Sequence, residues 1–279
     1  MASRYWDETL AARYREYSYE FAGGTLAGRV VVLAGGTGGL GAATASLLAR
    51  EGARLVIGYR SRRERAETLA RAIEKQCGSR PALVPGDIGE PVVRKEILSA
   101  AAGMGAPLAG VVIFPGDPAR VAWEALDRAA LTASAEANFI SPILLARDMG
   151  EVMEKAATGA ASADGSIVLL ATMQAVAPFA SSLNYAAPKA ALVHAARVLA
   201  KQWTRVRVNV VAPGATVAGM AEASVSAGKY DAYVERGAIA RFGRPEDVAR
   251  AVRFFLEPDN YTTGQVLVVD GGLTLRRDA

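Results

Sequence analysis

Residues Leu33–Arg50 read LAGGTGGLGAATASLLAR. An apolar run, RVVVLAG from Arg29, leads into this stretch, and a helical pattern leaves it from Gly41 to Arg50. Glycines between a strand and a helix let the chain turn tightly and let backbone N–H groups approach a pyrophosphate at the helix N-terminus. Two spacings fit the same letters. Gly36, Gly38 and Gly41 match G-x-G-x-x-G, and Gly35, Gly39 and Gly41 match G-x-x-x-G-x-G. A glycine-rich turn without a ligand is the plainer reading, but the position at the first strand–helix turn favours a dinucleotide.

The rest of the chain repeats that strand–helix rhythm. ARLVIG from Ala53, PALV from Pro81, AGVVIF from Ala109, GSIVLLA from Gly165, VRVNVV from Val206 and QVLVVD from Gln265 read as further strands. They are continuous apolar runs, as parallel strands covered on both faces should be. Helical patterns at Arg62 to Gln76 and Pro245 to Leu256 lie between them. The expected fold is α/β: a Rossmann-type, doubly wound, seven-stranded parallel sheet flanked by helices. Residues 28–279 read as a single domain, and residues 1–27 as an extra N-terminal helical arm. In that arm Trp6, Leu10, Tyr14, Tyr17 and Phe21 recur at helical steps, which predicts an amphipathic helix over residues 6 to 21. It packs either on its own domain or on a neighbouring subunit. The stretch from Pro213 to about Gly243 reads as a long mobile loop near a site.

Composition narrows the class. The 279 residues are 51% hydrophobic with 28 Gly and 12 Pro, which suits one large globular domain. The single cysteine, Cys77, allows no internal disulfide and fits a reducing, cytoplasmic setting. No signal peptide is visible, and no apolar run is read as approaching the roughly 20 residues that span a bilayer. A net charge of +4 mildly favours acidic ligands, but basic and aromatic residues do not interleave as in a nucleic-acid groove. No metal site is expected.

The end of the second strand addresses which dinucleotide is bound. A free ribose 2′-hydroxyl calls for a carboxylate about 20 residues past the glycines. Here the sequence is IGYRSRRERAE, with no acid at Gly58 or Tyr59 and with Arg60, Arg62, Arg63 and Arg65 following. Guanidinium groups match phosphate oxygens, so Arg60 favours a 2′-phosphate and NADP(H). Arg63 and Arg65 read as the solvated face of a helix.

In NYAAPKAAL, Asn184 to Leu192, Tyr185 stands four residues ahead of Lys189. Thr172 ends the fifth strand, and Asn138 lies in EANFISPILLARDM upstream. Then come RVNVVAPGATVAGM and YTTGQVLVVDGG. With these pieces in order, the chain resembles the short-chain dehydrogenase/reductase family, closest to its 3-oxoacyl-acyl-carrier-protein reductase-like ketoreductases, from about Leu26 to Leu273. The resemblance implies a catalytic tetrad of Asn138, Thr172, Tyr185 and Lys189, with Thr for the usual Ser. It implies cofactor contacts from Gly35, Thr37, Gly38, Gly39, Leu40 and Gly41, from Tyr59, Arg60 and Ser61, and from Asp87 and Ile88 at the adenine. Gly116, Tyr185, Lys189 and Thr216 would also contact the cofactor, Pro213 and Gly214 match the Pro-Gly where the nicotinamide sits, and Asn209 matches the family's R-V-N. IFPGDP, Ile113 to Pro118, replaces the family's N-N-A-G and keeps only Gly116.

The expected activity is NADPH-dependent reduction of a ketone to an alcohol, with 3-oxoacyl thioesters among the candidate substrates. Tyr185 would give the proton, Thr172 would orient the substrate oxygen, and the Lys189 ammonium, helped by the oxidised nicotinamide's positive charge, would lower the phenol's pKa from about 10. By resemblance Asn138 would hold a water linking Lys189 to solvent. The rival readings are a sugar or polyol dehydrogenase of the same family and a catalytically weak cofactor-binding sensor. Expected partners are a small-molecule ketone or alcohol and three further copies in a homotetramer, with no nucleic acid and no membrane. Acyl carrier protein is weakly supported, since Met149 to Gly165 offers only Lys155 as a cation. Pro188 is expected near the first turns of its helix if Ser181 or Ser182 caps it. His194 and Cys77 read as inert, and Trp123 and Trp203 as packing residues.

Overall fold

A computed structural model describes residues 26–157, 165–180, 182–221, 224–225 and 227–276. The expected helix over residues 6 to 21 and the Ser181 cap lie outside them. Seven strands form one sheet: β1 (Val30–Ala34), β2 (Arg54–Tyr59), β3 (Ala82–Pro85), β4 (Leu108–Ile113), β5 (Gly165–Leu170), β6 (Val206–Pro213) and β7 (Val266–Val269). Their order is β3-β2-β1-β4-β5-β6-β7, and every pairing is parallel. The expected fold is therefore the observed one, and each strand expectation falls within a residue or two of its element.

The continuous apolar runs have a simple cause. Along β1, Val30, Val32 and Ala34 belong to the core on one face of the sheet, while Val31 and Leu33 belong to the core on the other. Side chains alternate with period 2, but both faces are covered, so every position is apolar. One cover includes α1 (Gly39–Arg50) and α8 (Pro245–Leu256), through Leu48, Val252 and Phe255. The other includes α3 (Pro91–Gly103), α5 (Ser141–Ala156) and α6 (Leu183–Gln202), through Ile97, Leu145 and Leu192. Removing one such side chain to Ala costs about 2–5 kcal/mol.

The strand order reverses between β1 and β4, so the chain leaves these neighbours in opposite directions and opens a crevice at their carboxyl ends. That geometry positions the site.

Several expectations change in the structure. The stretch after Pro213 is packed: Ala215, Tyr230 and Ile239 are buried with Met173 and Leu273, joined by Phe179, Tyr233 and Phe242. Trp203 is a packing residue as expected, but Trp123 is 68% exposed on a 3₁₀ turn. The helical run Arg128–Ala156 is long and apolar enough, by length and composition alone, to cross a membrane. This corrects the reading that no run approaches that length. In the fold, Leu145, Ala146, Met149 and Met153 of this run are buried among the strands' apolar side chains.

Candidate active site

One cavity of about 1080 Å³ runs along the carboxyl ends of the strands. Gly35 follows β1, Tyr59 ends β2, Asp87 follows β3, Pro115 and Gly116 follow β4, Thr172 follows β5, and Pro213 ends β6; all line it. Every residue that the sequence pointed to for the cofactor stands in this wall, including Thr37, Gly38, Gly39, Leu40, Gly41, Arg60, Ser61, Ile88, Gly214 and Thr216. Thr172, Tyr185 and Lys189 line it too. Asn138 does not: it is fully buried behind the wall.

The glycine turn suits a phosphate. A Cβ on Gly41 would stand 2.6 Å from the Gly36 Cα, so only glycine lets α1 start this close to the turn. Gly38 precedes the helix without a side-chain cap, and the first turn carries no acid. The leading N–H groups have no intrahelical acceptor, and the helix dipole adds positive potential there. A Cβ on Gly38 would find nothing nearer than the Gly35 carbonyl oxygen at 3.7 Å, so the cradle stays open above it. Arg60, Arg62 and Arg65 line the same end, whereas Arg63 does not. Arg65, read from the sequence as surface only, thus faces the cavity as well. Arg60 Nη1 stands 3.9 Å from Asp87 Oδ2, a loose and largely exposed pair. This donor set suits the phosphates of a dinucleotide.

At the other end, Tyr185 and Lys189 sit one turn apart on α6. Thr172 shares a hydrogen bond with the Tyr185 phenol and accepts one from the Gln174 N–H at 3.3 Å. Lys189 Nζ donates to the Leu170 carbonyl at 2.8 Å and the Pro115 carbonyl at 3.3 Å. Asn138 lies in a π turn, Glu136–Ile140, between α4 (Arg128–Ala135) and α5; such bulges alter a helix's facing and often mark functional positions. Its Nδ2 donates to the Asp117 carbonyl at 2.9 Å, and its Oδ1 accepts from the Asp117 N–H at 3.1 Å. The divergent IFPGDP segment therefore binds both Lys189 and Asn138 through its backbone. Both ends of the Asn138 side chain are engaged, so that side chain fixes the Asp117 loop.

Electrostatics here are governed by burial. Burial pushes the Tyr185 phenol up to about 12, against the lowering effect of Thr172, with Tyr230 and the Asp117 carboxylate adding to the rise. Burial pushes Lys189 down to about 7. Burial is the largest influence on the phenol here, and Lys189 Nζ is held by the Leu170 and Pro115 carbonyls.

Sequence reasoning missed several participants. Arg94 is buried and donates to the Ile88 carbonyl at 2.9 Å, the Gly89 carbonyl at 2.8 Å and Asp148 at 2.7 Å, which fixes the Asp87–Gly89 loop. Arg120 donates through one nitrogen to the Met220 carbonyl at 2.9 Å and Ser224 Oγ at 3.1 Å, strapping the segment that follows β6 across the cavity. Tyr230 is buried beside it and hydrogen-bonded to Gln174. Ser134 is buried between Asn138 and Asn184. Asn209 and Arg207 are structural: Asn209 Nδ2 donates to the Thr262 carbonyl at 2.8 Å, and Arg207 donates to the Phe255 and Glu257 carbonyls at 2.8 and 3.0 Å.

Comparison with known proteins gives a consistent result. The family model described as enoyl-(acyl carrier protein) reductase matches residues 34–274. The chain is 33% identical over 261 residues to a cis-4-hydroxycyclohexanecarboxylate dehydrogenase of Sinomonas cyclohexanicum, covering 90% of this chain and 99% of that one. It is 29% identical over 252 residues to the 3-oxoacyl-(acyl-carrier-protein) reductase FabG of Aggregatibacter actinomycetemcomitans, covering 87% and 98%. The crystal structure of levodione reductase shares the fold with a TM-score of 0.81 at 24% identity, over 89% of this chain and 98% of that one.

Proposed function

The chain belongs to the short-chain dehydrogenase/reductase family, whose members are oxidoreductases that use NAD(P)(H), and from that premise we propose that it reduces a ketone to an alcohol with NADPH, with Tyr185 as the proton donor. The bound dinucleotide supplies the hydride. The protein supplies the proton, a hydrogen bond from Thr172 that orients the carbonyl, and surroundings sheltered from water. The observation that carries this reading is the Tyr185–Thr172 pair, facing the same cavity as Lys189 and the open N-terminus of α1. A phenol held near 12 is protonated at neutral pH. That is the form that gives a proton to a carbonyl oxygen in reduction, and the same group deprotonated would accept one in the reverse oxidation. Asn138 acts through the Asp117 loop it holds. The single-domain reading of residues 28–279 agrees with the one sheet, and unpaired Cys77 is compatible with a cytoplasmic setting.

NADPH in preference to NADH rests on Arg60, Arg62 and Arg65 at a β2 end without an acid. Arg60→Asp removes a phosphate partner and sets a second carboxylate against Asp87. We expect the KM for NADPH to rise at least about tenfold, with NADH changed little. Equal use of both cofactors by the unmodified protein would remove Arg60 from this role.

The substrate end combines Met173, Phe179, Met220, Tyr230 and Tyr233 with two cations, Arg120 and Lys229. This mixture suits a compact, largely apolar ketone that carries an anionic group, and the 4-hydroxycyclohexanecarboxylate in the relative's name is an alcohol with the same ring-and-carboxylate character. Simple 3-oxoacyl thioesters remain candidate substrates, with a weaker case for the full carrier protein. NADPH consumption should be measured with a cyclic keto acid, its methyl ester, a 3-oxoacyl thioester and a sugar. We expect the keto acid to exceed its ester about tenfold in kcat/KM, the scale of one charge-assisted contact. No turnover of any ketone would overturn the reductase reading.

A homotetramer is supported by apolar side chains left on the surface. Leu131, Ile140 and Val152 on the α4–α5 run, Leu183 and Val198 on α6, and Leu267 on β7 are all exposed. These side chains lie on helices and on the terminal strand β7, where further copies would cover them.

A further inference from the structure

Pro188 is the sixth residue of α6, inside the helix. A proline there lacks the N–H that would donate to the carbonyl four residues back, and its ring crowds that carbonyl. The orphaned acceptor belongs to Asn184, a buried residue directly before Tyr185. It is nonetheless satisfied: Ser134 Oγ, from α4, donates to the Asn184 carbonyl. The same oxygen accepts from Asn138 Nδ2 at 3.1 Å. A hydroxyl has one proton. With that proton committed to Asn184, the lone pairs are left for Asn138, so the two bonds fix each other's direction.

We propose that Ser134 is a positioning residue for the proton-transferring pair. It replaces the hydrogen bond that Pro188 deletes and ties the Tyr185–Lys189 turn to the π turn carrying Asn138. Through Asn138 it is joined to Asp117, and so to the segment whose Pro115 carbonyl accepts from Lys189. Asn184 precedes Tyr185 and Lys189 follows Pro188, so the tie falls where α6 has lost its own restraint. The proposal rests on the reading of Tyr185 and Lys189 as the pair that moves the proton.

The test is a cycle built on the missing N–H. Ser134→Ala should lower kcat about tenfold, equivalent to about 1.4 kcal/mol, while the KM for NADPH stays within about twofold. Melting temperature should fall by about 2–4 °C. Pro188→Ala returns an N–H to the Asn184 carbonyl, so Ser134→Ala/Pro188→Ala should recover kcat to within about threefold of wild type and regain most of the melting temperature. Ser134→Thr, which keeps the hydroxyl, should stay near wild type; if Ser134→Ala does not fold, the double variant and Ser134→Thr carry the comparison. A double variant no better than Ser134→Ala in rate and melting temperature overturns the proposal. So does a cycle in which melting temperature couples but kcat never moves, since the hydroxyl would then be structural alone. The thermal cycle needs no activity, so a failure of the Tyr185 assignment, seen as full turnover in Tyr185→Phe, is distinguishable from a failure of the hydrogen-bond replacement.

Discussion

Turnover of Tyr185→Phe should fall at least about a hundredfold, the scale that a positioned general acid contributes. The ring stays, so packing is kept, and only the hydroxyl that meets Thr172 is lost. Affinity for NADPH should change little, since the phosphate cradle lies on α1 and its ribose-phosphate partners at the end of β2. The pH dependence of the unmodified protein gives a second check. Below about 7 Lys189 is charged and stabilises the phenolate that forms as Tyr185 gives up its proton. As pH rises through about 7 that charge is lost, so kcat/KM for reduction should decline there, with no break near the ordinary phenol value of 10. Lys189→Arg, charged throughout, should lack the inflection. The folding equilibrium has its own sign. The folded value of Lys189 lies below its ordinary 10.5, so the unfolded chain binds more protons between about 7 and about 10.5. Stability of the cofactor-free protein should rise with pH in that window. A Phe variant with wild-type turnover would remove Tyr185 from the chemistry.

The sheet was legible because its physics is local. A run such as VVVLA in β1 has few places to go except between two covered faces, and the glycines that follow it announce the turn into α1. Pro245 at the start of α8, with Asp247 Oδ2 accepting from the Arg244 N–H at 2.8 Å, is equally local. What escaped notice is long-range. Ser134 meets Asn184 across fifty residues, and it meets Asn138 within a π turn that no periodicity predicts. Arg94 looks like one more charge on an amphipathic helix, yet its guanidinium is buried under the Asp87–Gly89 loop. Trp123 shows the opposite error, because an aromatic residue in a connecting turn need not find a core. The electrostatics of the pair were hidden for a related reason: spacing places Lys189 beside Tyr185, but only coordinates reveal two carbonyls holding the ammonium and the desolvation of both groups.

Gly116 is the one residue of IFPGDP that matches the family's N-N-A-G, and the structure gives a reason for it. A Cβ at this position would stand 2.8 Å from Asn138 Oδ1 and 3.1 Å from Lys189 Nζ. Neither neighbour can withdraw freely. Asn138 is fully buried with bonds to Asp117 and Ser134, and Lys189 Nζ is held by Leu170 and Pro115. Gly116→Ala therefore forces either the β4 loop or the Lys189 head out of place. Overpacking of this kind costs about 1–3 kcal/mol, and a misplacement of about 1 Å near the reacting groups can cost about a hundredfold in rate. We expect kcat to fall by about that factor, with melting temperature lowered by several degrees. Gly103→Ala is a suitable control, because nothing lies within 4 Å of a Cβ there; it should leave rate and stability unchanged. The two variants add the same methyl group, so any difference between them comes from what surrounds it. Wild-type rate and melting temperature in Gly116→Ala would mean that Asn138 and Lys189 yield easily, and that the backbone of IFPGDP does not hold them in register with Tyr185.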